Sequence, residues 1–156
     1  MELLVAMSVF LVVLGLATGI FVRTFQTQRA ITQLSESMNN VTLAIEQIAR
    51  EARTGLNFTE SDGSVTEVLR FTTGSAQRVA YAVVGESIGR CTGSCGTVDE
   101  DNFKPITSPS VKIVDMGFII NSEGSHPPRV TILTTVMPDN NTEIYLQTTV
   151  SSRILD

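Results

Sequence analysis

The sequence opens on an uncharged apolar run, Leu3 to Val22 (LLVAMSVFLVVLGLATGIFV), and charge returns at Arg23. A helix of that length rises roughly 30 Å, the thickness of a bilayer's hydrocarbon core. A secretory signal peptide has a shorter apolar region, about 7–15 residues, with basic residues ahead of it and a small-residue cleavage site behind. Nothing basic precedes this run, and Gly19-Ile20-Phe21-Val22-Arg23 is a poor cleavage site. The run therefore predicts a retained membrane helix.

The polar segment that follows keeps a helical period. Ile31, Leu34, Met38, Val41, Ile45, Ile48 and Ala52 recur at alternating steps of three and four, an apolar repeat of about three heptads. Gln33, Glu36, Asn39, Glu46, Gln47, Arg50 and Arg53 lie between them and suit a solvated face. Neither Pro nor Gly interrupts residues 20–54, and Gly55 follows Arg50 and Arg53 as a helix-ending glycine behind basic side chains. The pattern predicts one helix from the N-terminus to Thr54, about 80 Å long at the usual rise. Its apolar stripe serves either as the core-facing side of a helix packed on its own domain or as a coiled-coil seam; Leu43 and Ala44 widen the face and favour the former.

Beyond Asn57 the period becomes strand-like. Strands are predicted over residues 65–71, 76–84, 111–120, 129–137 and 143–155, with Gly74-Ser75 as a glycine-first hairpin turn and Pro138-Asp139-Asn140-Asn141 as a second turn. Residues 85–109, rich in Gly, Ser, Thr, Asp and Pro, read as a long loop. Helical pattern first and strands after is an α+β arrangement: a long N-terminal helix on an antiparallel sheet of four to six strands. With 156 residues, the chain holds one domain plus an appendage. We divide it into residues 1–22, the membrane-spanning half of the helix; 23–54, its amphipathic half; and 55–156, the sheet domain. A net charge of −5, from 11 basic and 16 acidic residues, with no basic cluster, speaks against direct nucleic-acid binding. Lysine occurs only at Lys104 and Lys112, so no polybasic segment faces lipid headgroups.

A carboxylate heads the membrane run. Glu2 is either a functional group beside the bilayer or a solvated helix N-terminus, where negative charge is mildly favourable. The pattern Glu2-Leu3-Leu4-Val5-Ala6-Met7, followed by an apolar run and a long amphipathic helix, resembles the N-terminal segment of prepilin-type proteins, the type IV pilins and type II secretion pseudopilins. Residues 43–53 (LAIEQIAREAR) are similar to the helix end of minor pilins and J-type pseudopilins. More loosely, residues 130–132 and 147–153 are similar to minor pilin-like tails. The resemblance implies a pilin-like fold and a basic leader ending in Gly that a prepilin peptidase removes. Met1 stands where that leader and the first mature residues are expected, so the sequence is expected to begin inside the gene product or at a misassigned start, the alternative being a paralogue that is not processed. The resemblance also implies that Glu2 pairs with the free N-terminal amine of a neighbouring subunit inside a filament. A desolvated pair of that kind enforces register, since an unpaired buried carboxylate is costly.

Cys91 and Cys95, in Arg90-Cys91-Thr92-Gly93-Ser94-Cys95-Gly96, read as a small disulfide loop on the exported side, in preference to free thiols or a metal site. His126, the single histidine, has no partner recognisable from sequence, and no metal ligands or cofactor are assigned. Gly15 and Gly19 match the small-xxx-small spacing that lets membrane helices approach; glycine there also suits local helix melting as a subunit leaves the bilayer. No catalytic residues are assigned, because the chain lacks a Gly-rich phosphate loop, GxSxG and HExxH. Asp99-Glu100-Asp101 reads as a solvated loop tip. The expected function is a structural subunit of a type IV pilus or a pseudopilus. Its expected partners are other pilin or pseudopilin subunits and, before assembly, the cytoplasmic membrane. The alternative is a bitopic membrane protein whose exported α+β domain binds a partner without polymerising.

Overall fold

A computed structural model describes residues 2–58, 65–122, 126–139 and 142–153. The chain divides into two compact units, Met1–Glu36 and Ser37–Asp156. Helix α1 (Glu2–Arg53) supplies the described residues of the first unit and opens the second. Among the described residues the rest of the second unit is antiparallel β-structure, so the architecture is α+β.

The second unit contains two sheets, where a single sheet was expected. Strands β1 (Gly55–Leu56), β3 (Val68–Thr73), β4 (Arg78–Val84), β5 (Ser87–Thr92) and β6 (Lys104–Pro105) form one sheet, in the order β1-β3-β4-β5-β6. Strands β2 (Val65–Thr66), β7 (Lys112–Asn121), β8 (Arg129–Asp139) and β9 (Thr142–Ser151) form the other, in the order β2-β7-β8-β9. The predicted strand over residues 65–71 is split at Glu67. Val65 and Thr66 pair with Ile119 and Phe118, whereas Val68–Thr72 pair with β4. The predicted loop over residues 85–109 is also corrected, because β5 and β6 lie inside it. β5 is laid against β4 by six register pairs, Val79↔Thr92 through Val84↔Ser87. Its Ser-Ile-Gly-Arg-Cys-Thr sequence shows little alternation, and pairing to an apolar neighbour decides its conformation.

Within the second unit, α1 buries Ser37, Val41, Ala44, Ile48 and Ala52. Val41, Ile48 and Ala52 belong to the predicted stripe; Met38 and Ile45 are only partly buried, and Ser37 and Ala44 are covered instead. Along the covered face the small side chains of Ser37, Ala44 and Ala52 alternate with Val41 and Ile48, and the larger Met38 and Ile45 flank that line. In the first unit Ile31 and Leu34 stay exposed, so the stripe as a whole is not one packing surface. The core that meets the helix includes Leu69, Phe71, Tyr81, Ile88, Met116, Phe118, Ile120 and Ile132.

Gly55 does not end the helix in a left-handed conformation, because positive φ among the described glycines occurs only at Gly85 and Gly93. It opens β1, where a Cβ would stand 2.7 Å from Phe71 Cδ2 and 2.9 Å from Phe58 Cζ, so glycine serves close packing. The helix end is satisfied elsewhere. The amide and hydroxyl of Thr54 donate to the Glu51 carbonyl, and the Arg153 amide donates to the Arg53 carbonyl at 2.8 Å. Beside it the buried Ser152 hydroxyl donates to the Gly55 carbonyl at 2.9 Å.

The β3–β4 hairpin is corrected in type as well as placement. The Ala76 amide donates to the Thr73 carbonyl, and the left-handed residue is Ala76 (φ 60°), not Gly74. This is the three-residue hairpin loop, a turn followed by one left-handed residue. The turn expected at Asn140-Asn141, and Ile154 and Leu155 of the fifth predicted strand, lie outside the described residues.

Candidate functional site

The first unit presents the apolar run without cover. The large apolar side chains from Leu3 to Val22 are all exposed, and the helix is long and apolar enough to cross a membrane. Ser8 and Thr18 carry the run's only polar side chains. Each hydroxyl turns back onto the helix, Ser8 Oγ donating to the Val5 carbonyl and Thr18 Oγ1 to the Leu14 carbonyl, both at 2.8 Å. Hydrocarbon offers no hydrogen bonds, so a helix with internally satisfied backbone and hydroxyls is the form such a segment must take there. Glu2 lies exposed in the first turn. Gly15 and Gly19 have nothing within 4 Å of where a Cβ would stand, leaving a bare strip of backbone on the helix.

In the second unit the sulfurs of Cys91 and Cys95 are bonded, with Cα atoms 5.8 Å apart. Cys91 lies opposite Ala80, one residue before the end of β5, and the chain beyond folds back over the outer face of the first sheet. Phe103, buried with Ala80, Ala82 and Cys91, pins that excursion. Its ring and Cβ occupy the space above Gly89, where an added Cβ would come within 2.8 Å of Phe103 Cβ. Between these anchors the acidic tip forms a turn. Asp99 accepts from the Thr97 hydroxyl at 2.8 Å and from the Asn102 amide at 2.9 Å, which holds its carboxyl below the usual range. Only four positions separate the cysteines, so the chain-entropy relation limits the bridge to about 2 kcal/mol. Protein isolated without reductant is expected to resist alkylation at both sulfurs and to gain two alkyl groups after reduction. Alkylation of both before reduction would contradict the bridge.

Three polar side chains tie α1 to the first sheet. Arg90 Nε and Nη2 donate to Glu51 Oε2 at 3.3 and 3.2 Å, and Arg90 Nε also approaches the Tyr81 phenol oxygen at 3.2 Å. Burial first, then the charge of Glu51, pushes the Tyr81 phenol well above its ordinary 10.0. In the unfolded chain that proton leaves near the ordinary value, whereas the native state retains it. The resulting stabilisation is complete below about pH 10 and is lost as pH rises beyond it. Tyr81→Phe is expected to flatten the alkaline limb of a plot of thermal midpoint against pH. Its loss of a hydrogen bond shifts the whole curve by a constant instead. An unchanged alkaline slope would remove Tyr81 from that linkage.

A concave surface of about 340 Å³ lies beside the disulfide, lined in part by Asn57, Arg70, Thr72, Arg78 and residues 93–96. Sequence reading singled out neither this cleft nor the Arg90–Glu51–Tyr81 cluster. Each assembles residues from elements distant in the chain, and isolated arginines in alternating strands carry no local signal. Phe103 was legible only as one aromatic in a polar stretch. Among the described residues no three His, Cys, Asp or Glu side chains are grouped to hold a metal ion. His126 is exposed.

Comparisons with protein-family models, with characterised proteins and with solved structures find no match to this chain.

Proposed function

We propose that the chain is a structural subunit of a type IV pilus or type II secretion pseudopilus, closest in character to a minor pilin or pseudopilin, with no catalytic role. The observation that carries this reading is the two-part helix. Its first half is apolar all round, headed by Glu2, with both hydroxyls folded back onto the backbone. Its last turns are covered by antiparallel sheets. A helix of this kind dissolves singly in lipid and packs with copies of itself in a filament core, because lipid and a neighbouring helix present equally apolar surroundings. On this reading the chain is a single-pass protein of the cytoplasmic membrane with its pilin-like C-terminal domain exported, and it later joins the filament. A prepilin peptidase processes it, and sister subunits are its partners.

Glu2 is the test. Its carboxylate is the one charge in the first 22 residues. Glu2→Ala is expected to leave membrane insertion and the fold of residues 37–153 unchanged, since no described contact of that unit involves Glu2. Incorporation into filaments should fall sharply, because a neighbour's amine would enter a low-dielectric helix core without its partner. The measurement is the amount of subunit in sheared filaments at matched membrane levels, wild type against variant. Equal incorporation would remove Glu2 from assembly. A bitopic binding protein that never polymerises would be absent from filaments in both forms.

A further inference from the structure

Arg70 and Arg78 stand on one face of the first sheet. Register pairs Arg70 with Ala80 and Thr72 with Arg78, and directly opposed residues of an antiparallel pair share a face. This is the outer face, opposite Leu69, Phe71, Val79 and Tyr81 of the core. The excursion after Cys91 covers part of it and leaves the cleft at the Arg78 end of β4. Disulfide closure braces the rim, the Gly93 amide donates to the Arg78 carbonyl at 2.9 Å, and Arg70 Nη2 approaches the Gly96 carbonyl at 3.4 Å. Arg70 thus engages one of its five N–H donors, and the exposed Arg78 guanidinium has no partner among the described residues. Two under-used guanidiniums in a braced concavity are suited to a carboxylate, which each can grip through paired N–H groups.

The complementary group lies on the same face at the other end of β4. Asp99 is committed to its turn, while Glu100 and Asp101 project exposed and unpaired among the described residues. Glu100 Oε1 lies 3.5 Å from where a Cβ of Gly85 would stand, just past the end of β4. Arg78 opens the seven-residue β4, so six residue steps, about 20 Å, separate it from that end. A paired strand does not fold back on itself, so tip and cleft of one molecule cannot meet. They can meet between molecules, and a patch joined to a different patch is the heterologous contact that builds open-ended rows.

We propose that the Arg70–Arg78 cleft is a carboxylate-binding site that receives the Glu100–Asp101 tip of a second copy of this chain, head to tail. As a lateral contact in a filament it rests on the reading above; as a self-association site it does not. The test is charge exchange in the full chain. Arg70→Glu with Arg78→Glu, and separately Glu100→Arg with Asp101→Arg, are each expected to lower the subunit in sheared filaments about tenfold, because like charges then face each other. Combining all four substitutions restores complementarity and is expected to restore incorporation. Arg78→Gln alone, at an exposed position, should weaken incorporation while leaving the thermal midpoint unchanged.

The same variants are compared by sedimentation of detergent-solubilised full chain. Wild-type self-association should weaken as salt rises from about 0.1 M to about 1 M, and the four-site variant should recover what either pair lost. Recovery in solution with wild type absent from filaments would sink the filament reading and keep the contact. Normal incorporation of both two-site variants would overturn the contact and leave the filament reading standing. A four-site variant no better than either pair, in both assays, would also overturn it.

Discussion

Deleting Leu3–Val22 is expected to move this protein from the membrane fraction to the soluble fraction. The run carries 20 uncharged residues, of which 18 lack any polar side-chain atom, since Ser8 and Thr18 are the exceptions. Burying each large aliphatic or aromatic side chain of this kind is worth about 1.5–3 kcal/mol. Summed over the run, this exceeds by far what any peripheral contact would contribute. The deletion should not unfold the remainder, because the hydrophobic cluster of the second unit draws nothing from before Val41. Fractionation of full-length and deleted chains, with circular dichroism of the released protein, checks both halves of the expectation. Full-length protein that stays soluble without detergent would overturn the membrane reading. A released chain without β-signal would show that the second unit depends on the first.

The second large effect is expected at the centre of the core. Phe118, on β7, has no exposed surface and pairs with Ile132 on one side and Thr66 on the other. Replacing it with alanine removes the ring and leaves a cavity that two paired strands cannot close by collapsing. A loss of about 3–5 kcal/mol is expected, against a total of about 5–15 kcal/mol for an ordinary domain. The thermal midpoint should fall by at least about 10 °C. Tyr145→Ala is the control: Tyr145 is 74% exposed on β9, and its loss should change stability by about 0.5 kcal/mol or less. Equal midpoints for the two variants would mean that Phe118 does not sit in the core.

What the sequence by itself determined is what depends on near neighbours in the chain. Twenty uncharged residues in a row determined a helix long enough for a bilayer, because length and composition alone set that property. The three-and-four spacing from Ile31 to Ala52 determined that the helix continues, and period-two alternation from Arg129 to Met137 and from Glu143 to Leu155 pointed to two long strands, the second of which stops at Ser151. Cys91 and Cys95 were paired on proximity in sequence, and four positions are few enough for proximity to suffice.

Tertiary structure decided whatever depended on which surfaces meet. Residues 65–71 read as one strand, yet Glu67 marks a change of sheet, because pairing partners come from β4 and β7 and neither is visible from within the strand. The helix turned Ser37 and Ala44 inward ahead of Met38 and Ile45, because which side of a broad apolar stripe is covered depends on where the sheets lie and not on the stripe itself. Gly55 was required by the ring of Phe71 and Gly89 by the Cβ of Phe103, which arrive from positions 16 and 14 residues away. Arg70 and Arg78 became neighbours for the same reason. A hairpin turn that places its left-handed residue at Ala76 brings Thr72 opposite Arg78, and the face they share exists only once that register is set.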